Sequence, residues 1–270
     1  MFVKPYFIRR GKGPLVVSFP HSGETLGTVA ERMRPAARPL PDTDWHLLRL
    51  YDFLDDMNIT IIKGNYSRYV IDLNRDPSGK ALYKGENETE LCPTTMFDET
   101  PIYDDGQEPN DTEIAERIAE YHEPYHDAIA SEIERVKDIN GHAVLLDAHS
   151  IAQSVPRFFD GALPDLNLGT VDGTSCDKAI ADDIMAIFAA NPAFSSVLDG
   201  RFKGGYITRK YGDPSNDVHA LQLELSQATY MIDSDAKDQP GRGPTRFFDD
   251  GIADKVRPIL FDMVHRLAAK

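Results

Sequence analysis

Ala143-Val144-Leu145-Leu146-Asp147, continuing as Ala148-His149-Ser150, is the stretch on which the fold turns. Apolar residues in an unbroken run, without polar alternation, predict a strand buried on both faces of a sheet. Such a strand calls for helices on either side of it. Moving outward, Leu15-Val16-Val17-Ser18-Phe19 reads as a buried strand that stops at Pro20, and Ile59-Thr60-Ile61-Ile62 as another. Tyr69-Val70-Ile71-Asp72-Leu73 and the run from His219 to Leu225 also read as strands.

Helical spacing appears between them. From Asp44 to Met57, Leu47, Leu48, Leu50, Tyr51 and Leu54 share one face. Residues 111–138 repeat Ile114, Ile118, Tyr125, Ile129, Ile133 and Val136 at helical intervals, with Pro124 as a kink or break. Further helices are predicted from Cys176 to Ala190 and from Thr245 to Ala268, the latter bent near Pro258. Residues 76–110, rich in Pro, Gly, Asn and Asp, read as a long surface excursion of the kind that often carries function. The alternation predicts an α/β protein, with one three-layer α/β/α domain over residues 1–270, a mixed central sheet and a ligand site beyond the strand ends.

The formal net charge of −15 argues against nucleic acid and anionic membranes as partners. An anionic ligand would need Arg or Lys gathered locally against that field. Two cysteines without a CxxC pair make neither a disulfide framework nor a Cys-based zinc site. Lys4 and Pro5 interrupt the apolar N-terminus, and no apolar run has the length of a membrane span, so the expected location is the cytoplasm.

Four groups could carry chemistry. Pro20-His21-Ser22-Gly23-Glu24 follows the first buried strand. His21 and Glu24, spaced His-x-x-Glu, offer a nitrogen and an oxygen that suit zinc, although the same spacing can be a plain surface turn. Asp147-Ala148-His149-Ser150 puts a second His at a strand end, as a ligand or as a hydrogen-bonded core residue. Glu224 stands alone among Leu221, Leu223 and Leu225. A buried carboxylate there is costly unless it works, and a raised pKa would suit a general base. Arg68 and Arg75 bracket the Tyr69–Leu73 run, ready to clamp carboxylates or to pair with Asp72 or Asp76. His122-Glu123-Pro124-Tyr125-His126 matches the zincin pattern literally, but Pro124 disfavours the unbroken helix that pattern needs.

Taken together, Pro20-His21-Ser22-Gly23, Leu40-Pro41-Asp42-Thr43-Asp44-Trp45-His46, Asn65-Tyr66-Ser67-Arg68 with Asp72-Leu73-Asn74-Arg75, Asp147-Ala148-His149-Ser150 and Gly200-Arg201-Phe202-Lys203-Gly204-Gly205-Tyr206-Ile207-Thr208-Arg209 resemble the N-formylglutamate amidohydrolase family, over about residues 10 to 265. The resemblance implies a zinc-exopeptidase-like fold, related to carboxypeptidases and aspartoacylase. It implies hydrolysis of N-formylglutamate to formate and glutamate within histidine degradation. One Zn2+ is implied on His21, His149 and either Glu24 or Asp44; Asp44 can alternatively cap the helix that follows it. Glu224 would be the base. Arg75 or Arg68 would stabilise the oxyanion. Arg68, Asn74, Arg75, His126, Lys203 and Arg209 would surround a small dicarboxylate substrate. Two rival expectations are a related zinc-dependent acyl-amino-acid hydrolase or carboxypeptidase, and a non-catalytic small-acid binding protein.

Overall fold

The computed structural model describes residues 3–82, 85, 87–234 and 245–270. Among them a seven-stranded sheet runs in the order β1 (Tyr6–Arg9), β3 (Thr60–Gly64), β2 (Leu15–Phe19), β4 (Ala143–Ile151), β7 (Val218–Ser226), β5 (Leu166–Gly169) and β6 (Ser196–Leu198). Strands β3, β2, β4 and β7 are parallel, whereas β1 and β5 run antiparallel to β3 and β7. The sheet is therefore mixed, within the predicted α/β class.

Alternation along the central strands builds the layers. Val144, Leu146 and Ala148 join Leu15, Val17, Phe19, Leu221 and Leu223 in a core shared with α4 (Lys178–Ala189) and α6 (Asp250–Ala268). Ala143 and Leu145 join Val16 and Ile62 in a second core on the opposite face, against α3 (Glu123–Asn140). Leu145 and Leu146 are both fully buried. Burial of each stabilises by about 2 kcal/mol, so β4 ties both cores to one strand. The same alternation sends Asp147, His149, Gln222 and Glu224 to the α3 side. His149 and Glu224 are register partners.

Three local expectations are corrected. The predicted helix from Asp44 to Met57 is only α1 (Leu47–Leu50) and a 3₁₀ turn at Asp52–Asp56. His46 lies in the left-handed region at φ 61°, so no helix can run back to Asp44, and Asp44 caps nothing. The Tyr69–Leu73 run is a buried turn, because its backbone bonds locally (Val70 N–H to Ser67 O at 2.8 Å) and joins no ladder. The last helix starts at Asp250, not Thr245. Asp249 caps it by accepting from Ile252 N–H, while β9 (Thr245–Phe248) pairs with β8 (Met231–Ser234). Pro258 sits inside α6 without ending it.

At Pro124 the helix does not break. α2 (Asp111–Arg117) runs through a π turn at Ile118–His122 straight into α3, with Glu123 N–H reaching Ile118 O five residues back. The wide turn leaves Pro124 in the first turn of α3, where its missing N–H costs little. Among the described residues no helix is long and apolar enough to cross a membrane.

Candidate active site

Strand ends β2 and β4 bring the first ligands together. His21 follows β2 in a turn made tight by Gly23, where a Cβ would lie 2.4 Å from Tyr66 O. His149 stands near the end of β4. Asp44 arrives from the turn between Leu40 and His46, both left-handed at φ 55° and φ 61°. Strain of this kind collects at functional sites. Asp44 N–H donates to His21 O at 3.1 Å, which docks the turn onto the β2 end. The His21, Asp44 and His149 donor atoms all lie within 4.8 Å of one another, and all three residues are buried.

Each imidazole is backed by a second carboxylate. His21 Nε2 lies 2.6 Å from Asp72 Oδ1, and His149 Nε2 lies 2.8 Å from Asp147 Oδ2. Ionised carboxylates only accept, so both Nε2 atoms carry the proton and both Nδ1 atoms turn to the shared space. His21 Nδ1 is buried without a hydrogen-bond partner. His149 Nδ1 lies 3.2 Å from Asp44 Oδ2. Asp44 is further fixed by Arg68 Nη2 at 3.1 Å on Oδ1 and by Ser150 N–H at 3.1 Å on Oδ2.

The electrostatics favour a cation at this point. Burial depresses the pKa of His21, and the neighbouring Arg68 depresses it further. For His149 burial acts the same way, but Asp147, Asp44 and Glu224 overcome it and hold the ring well above its ordinary value. Burial opposes ionisation of Asp72, yet His21, Arg75 and Arg68 keep it well below the usual carboxylate range. Asp44 and Asp72 thus share Arg68, while Asp147 is met by His149. Two imidazoles that turn Nδ1 to a shared space, a carboxylate beside them and surplus negative charge make this group able to hold a divalent metal ion.

Above the group opens a cleft. His21, His149, Arg68, Asn74, Arg75 and Glu224 reach it, with Leu82, Asn87 and Phe97 from the long 76–110 excursion as one wall. Burial, with Asp44 and Asp147 adding to it, pushes Glu224 up to about 8. Arg68 packs over Phe97, 5.0 Å from the ring centre. Arg75 is braced by Thr89 O at 3.1 Å and Thr89 Oγ1 at 3.2 Å. Asn74 accepts Ile207 N–H at 2.8 Å and donates to Asp147 Oδ2 at 3.1 Å, pressed so closely on Gly205 that a Cβ there would meet its amide at 2.3 Å.

Several sequence-derived candidates lie elsewhere. Glu24 is exposed, outside the His–Asp–His group, with its charge beside Lys63; the carboxylate in the group is that of Asp44. Lys203 does not line the cleft but pairs with Asp172 at 2.8 Å, and Arg209 donates to Gly204 O at 3.0 Å rather than reaching the cleft. His126 stands behind the cleft wall, with Nε2 on Leu73 O at 2.9 Å. Sequence reasoning did not single out Arg201. It lines the cleft, braced by Phe158 O at 2.7 Å and Asn87 O at 2.9 Å. Asp147 was equally unassigned, although its place two residues before His149 on one strand put both on the same face.

Fold and site define an α/β protein with a buried, metal-competent His–Asp–His group beside a protonatable carboxylate in an arginine-lined cleft. A family model described as N-formylglutamate amidohydrolase matches residues 13–231. The chain is 44% identical over 262 residues to the N-formylglutamate deformylase of Pseudomonas aeruginosa, covering 97% of this chain and 95% of that one. It is also 44% identical over 227 residues to the N-formylglutamate deformylase of Pseudomonas putida, covering 84% and 85%. The chain belongs to the N-formylglutamate amidohydrolase family. Its fold is that of the crystal structure of N-formylglutamate amidohydrolase from Ralstonia eutropha JMP134, with a TM-score of 0.78 at 23% identity over 99% of this chain and 98% of that one. A gene product of Agrobacterium tumefaciens shares the fold at a TM-score of 0.69 and 17% identity, over 99% and 96%.

Proposed function

We propose that the protein hydrolyses N-formyl-L-glutamate to formate and L-glutamate, with one divalent metal ion, zinc, held by His21, Asp44 and His149. The carrying observation is Glu224, raised to about 8, in the same cleft as that group and as Arg68, Arg75 and Arg201. The family and the names of its relatives support the substrate. A place in histidine degradation belongs to the same proposal.

A bound metal ion would supply Lewis-acid polarisation and lower the pKa of water at the site. Glu224, held ionised by the charge of that ion, does the proton work. One carboxylate oxygen takes a proton from the attacking water as its oxygen bonds to the formyl carbon. The same oxygen then gives that proton to the glutamate nitrogen as the C–N bond breaks. One water is consumed, and formate and the free amine leave. Arg75 and Arg201 meet the two substrate carboxylates, for which the planar guanidinium fork is suited. Arg68, buried between Asp44 and Asp72, holds Asp44 in place and offers positive charge to the developing oxyanion.

The test is a substrate panel of formyl, acetyl and succinyl amino acids with metal analysis on the same preparation. Formate release from N-formylglutamate, dependent on metal, is the expected result. Preference for another acyl group would move the protein to a related acyl-amino-acid hydrolase. No turnover of any member would sink the catalytic reading.

A further inference from the structure

The His122-Glu123-Pro124-Tyr125-His126 motif is absorbed by neither the metal group nor the cleft, yet both imidazoles are almost wholly buried. Their rings pack together, tilted by 31° with centres 4.2 Å apart, and Tyr206 packs against both at 5.8 and 5.2 Å. They address one short segment from the same side. His126 Nε2 lies 2.9 Å from Leu73 O, and His122 Nε2 lies 3.0 Å from Arg75 O. A carbonyl oxygen only accepts, so each Nε2 is the donor and neither nitrogen is available to a metal. These two carbonyls flank Asn74 on either side in sequence. No backbone N–H reaches either of them among the described residues.

We propose that His122 and His126 are positioning residues for Asn74 and Arg75. Pinning the carbonyls of Leu73 and Arg75 fixes the backbone between them, and with it two side chains that face the cleft. Asn74 reaches Asp147 behind His149. Arg75 carries its guanidinium into the cleft from this same backbone, held by Thr89 and by the Asn74 carbonyl at 3.3 Å, itself part of the pinned segment. Burial depresses both imidazoles, His126 strongly, which favours neutral rings with Nε2–H toward the carbonyls. The zincin-like spacing thus serves a different end, with two packed rings on one helix spaced to match two carbonyls.

This inference rests on the proposed substrate, through the carboxylate that Arg75 meets. The experiment compares kcat/KM for N-formylglutamate and N-formylglutamine, which lacks one charge, in the wild type and in His→Leu, His→Gln and His→Asn variants at 122 and 126. Metal content is measured throughout. Gln presents an amide N–H near the position of Nε2, and Asn presents one near that of Nδ1. In the Leu and Asn variants the preference for the dianion is expected to fall by at least about tenfold, chiefly through KM, within what a misplacement of about 1 Å produces. Gln should retain it to within about threefold, since the hydrogen bond survives. Metal content should not change. Leu and Asn variants that keep the wild-type preference, or that lose both substrates equally, would overturn the positioning role. A wild-type preference near one would instead overturn the substrate reading beneath it.

Discussion

Asp147 and His149 stand two residues apart on β4 with Oδ2 and Nε2 at 2.8 Å. Strand periodicity alone puts both on one face. Asp147 is otherwise saturated by Ser18 Oγ at 2.9 Å and Asn74 Nδ2 at 3.1 Å, so it cannot turn away from the ring. It fixes the tautomer that leaves His149 Nδ1 toward Asp44. Asp147→Asn is expected to weaken metal affinity by about 10–100-fold while the fold is kept, the usual cost of losing such a backing group. Competition with a chelator of known affinity reads this directly, and unchanged affinity would remove Asp147 from the site.

The metal group itself gives a contrast. His149→Ala and Asp44→Ala should abolish stoichiometric metal uptake, whereas Glu24→Ala and His122→Gln should leave it intact. Metal analysis after gel filtration decides the matter. Loss of metal in Glu24→Ala, with retention in Asp44→Ala, would return the carboxylate role to Glu24.

Glu224→Gln should keep metal and fold yet lower kcat by at least about a hundredfold, the low end for a lost acid–base group. Near-normal turnover would assign the proton transfer to another group in the cleft.

Glu224 also links stability to pH in the metal-free protein. Its folded value of about 8 lies above the ordinary 4.5, so between these pH values the folded chain holds a proton that the unfolded chain has released. Stability from this group is fully present below about pH 4.5 and is lost as pH rises toward 8. Metal-free Glu224→Gln should therefore gain Tm relative to metal-free wild type as pH goes from 5 to 8. A difference that stays constant across that range would show that Glu224 is not desolvated as described.

Arg75→Lys and Arg201→Lys should each reduce kcat/KM for N-formylglutamate more than for N-formylglutamine, because Lys keeps the charge but loses the planar fork. Equal losses on the two substrates would place the side-chain carboxylate elsewhere.

The central sheet was legible because β2 and the first half of β4 are nearly unbroken apolar runs, while β7 alternates apolar and polar residues at strand period. His21, His149 and Glu224 stood out against that background as polar residues at or near strand ends. The short strands β1, β5 and β6 left no such trace, since three or four residues are too few to show a period. The Tyr69–Leu73 run misled for the converse reason: a buried turn requires the same apolar residues as a strand. Asp44 and Glu24 could not be separated by residue type or spacing. That choice depends on the left-handed backbone at Leu40 and His46, which no simple pattern encodes for bulky residues. Lys203 and Arg209 were unreadable in another way, since a cation's direction is set by partners such as Asp172 and the Gly204 carbonyl.

The π turn at Ile118–His122 fixes an angular phase. On its N-terminal side Arg117 donates to Val70 O at 2.7 Å, and on its C-terminal side His122 and His126 hold Arg75 O and Leu73 O. One helix therefore grips both ends of the same six-residue segment, 70–75, and the extra residue of the turn sets the rotation between the two grips. Closing the turn to α geometry with all its residues kept would swing one half by about 100° relative to the other. The i→i+5 bond from Glu123 N–H to Ile118 O is what absorbs the extra residue and keeps the two grips in phase. The width of that one turn becomes as much a determinant of the cleft as the identity of any residue in it.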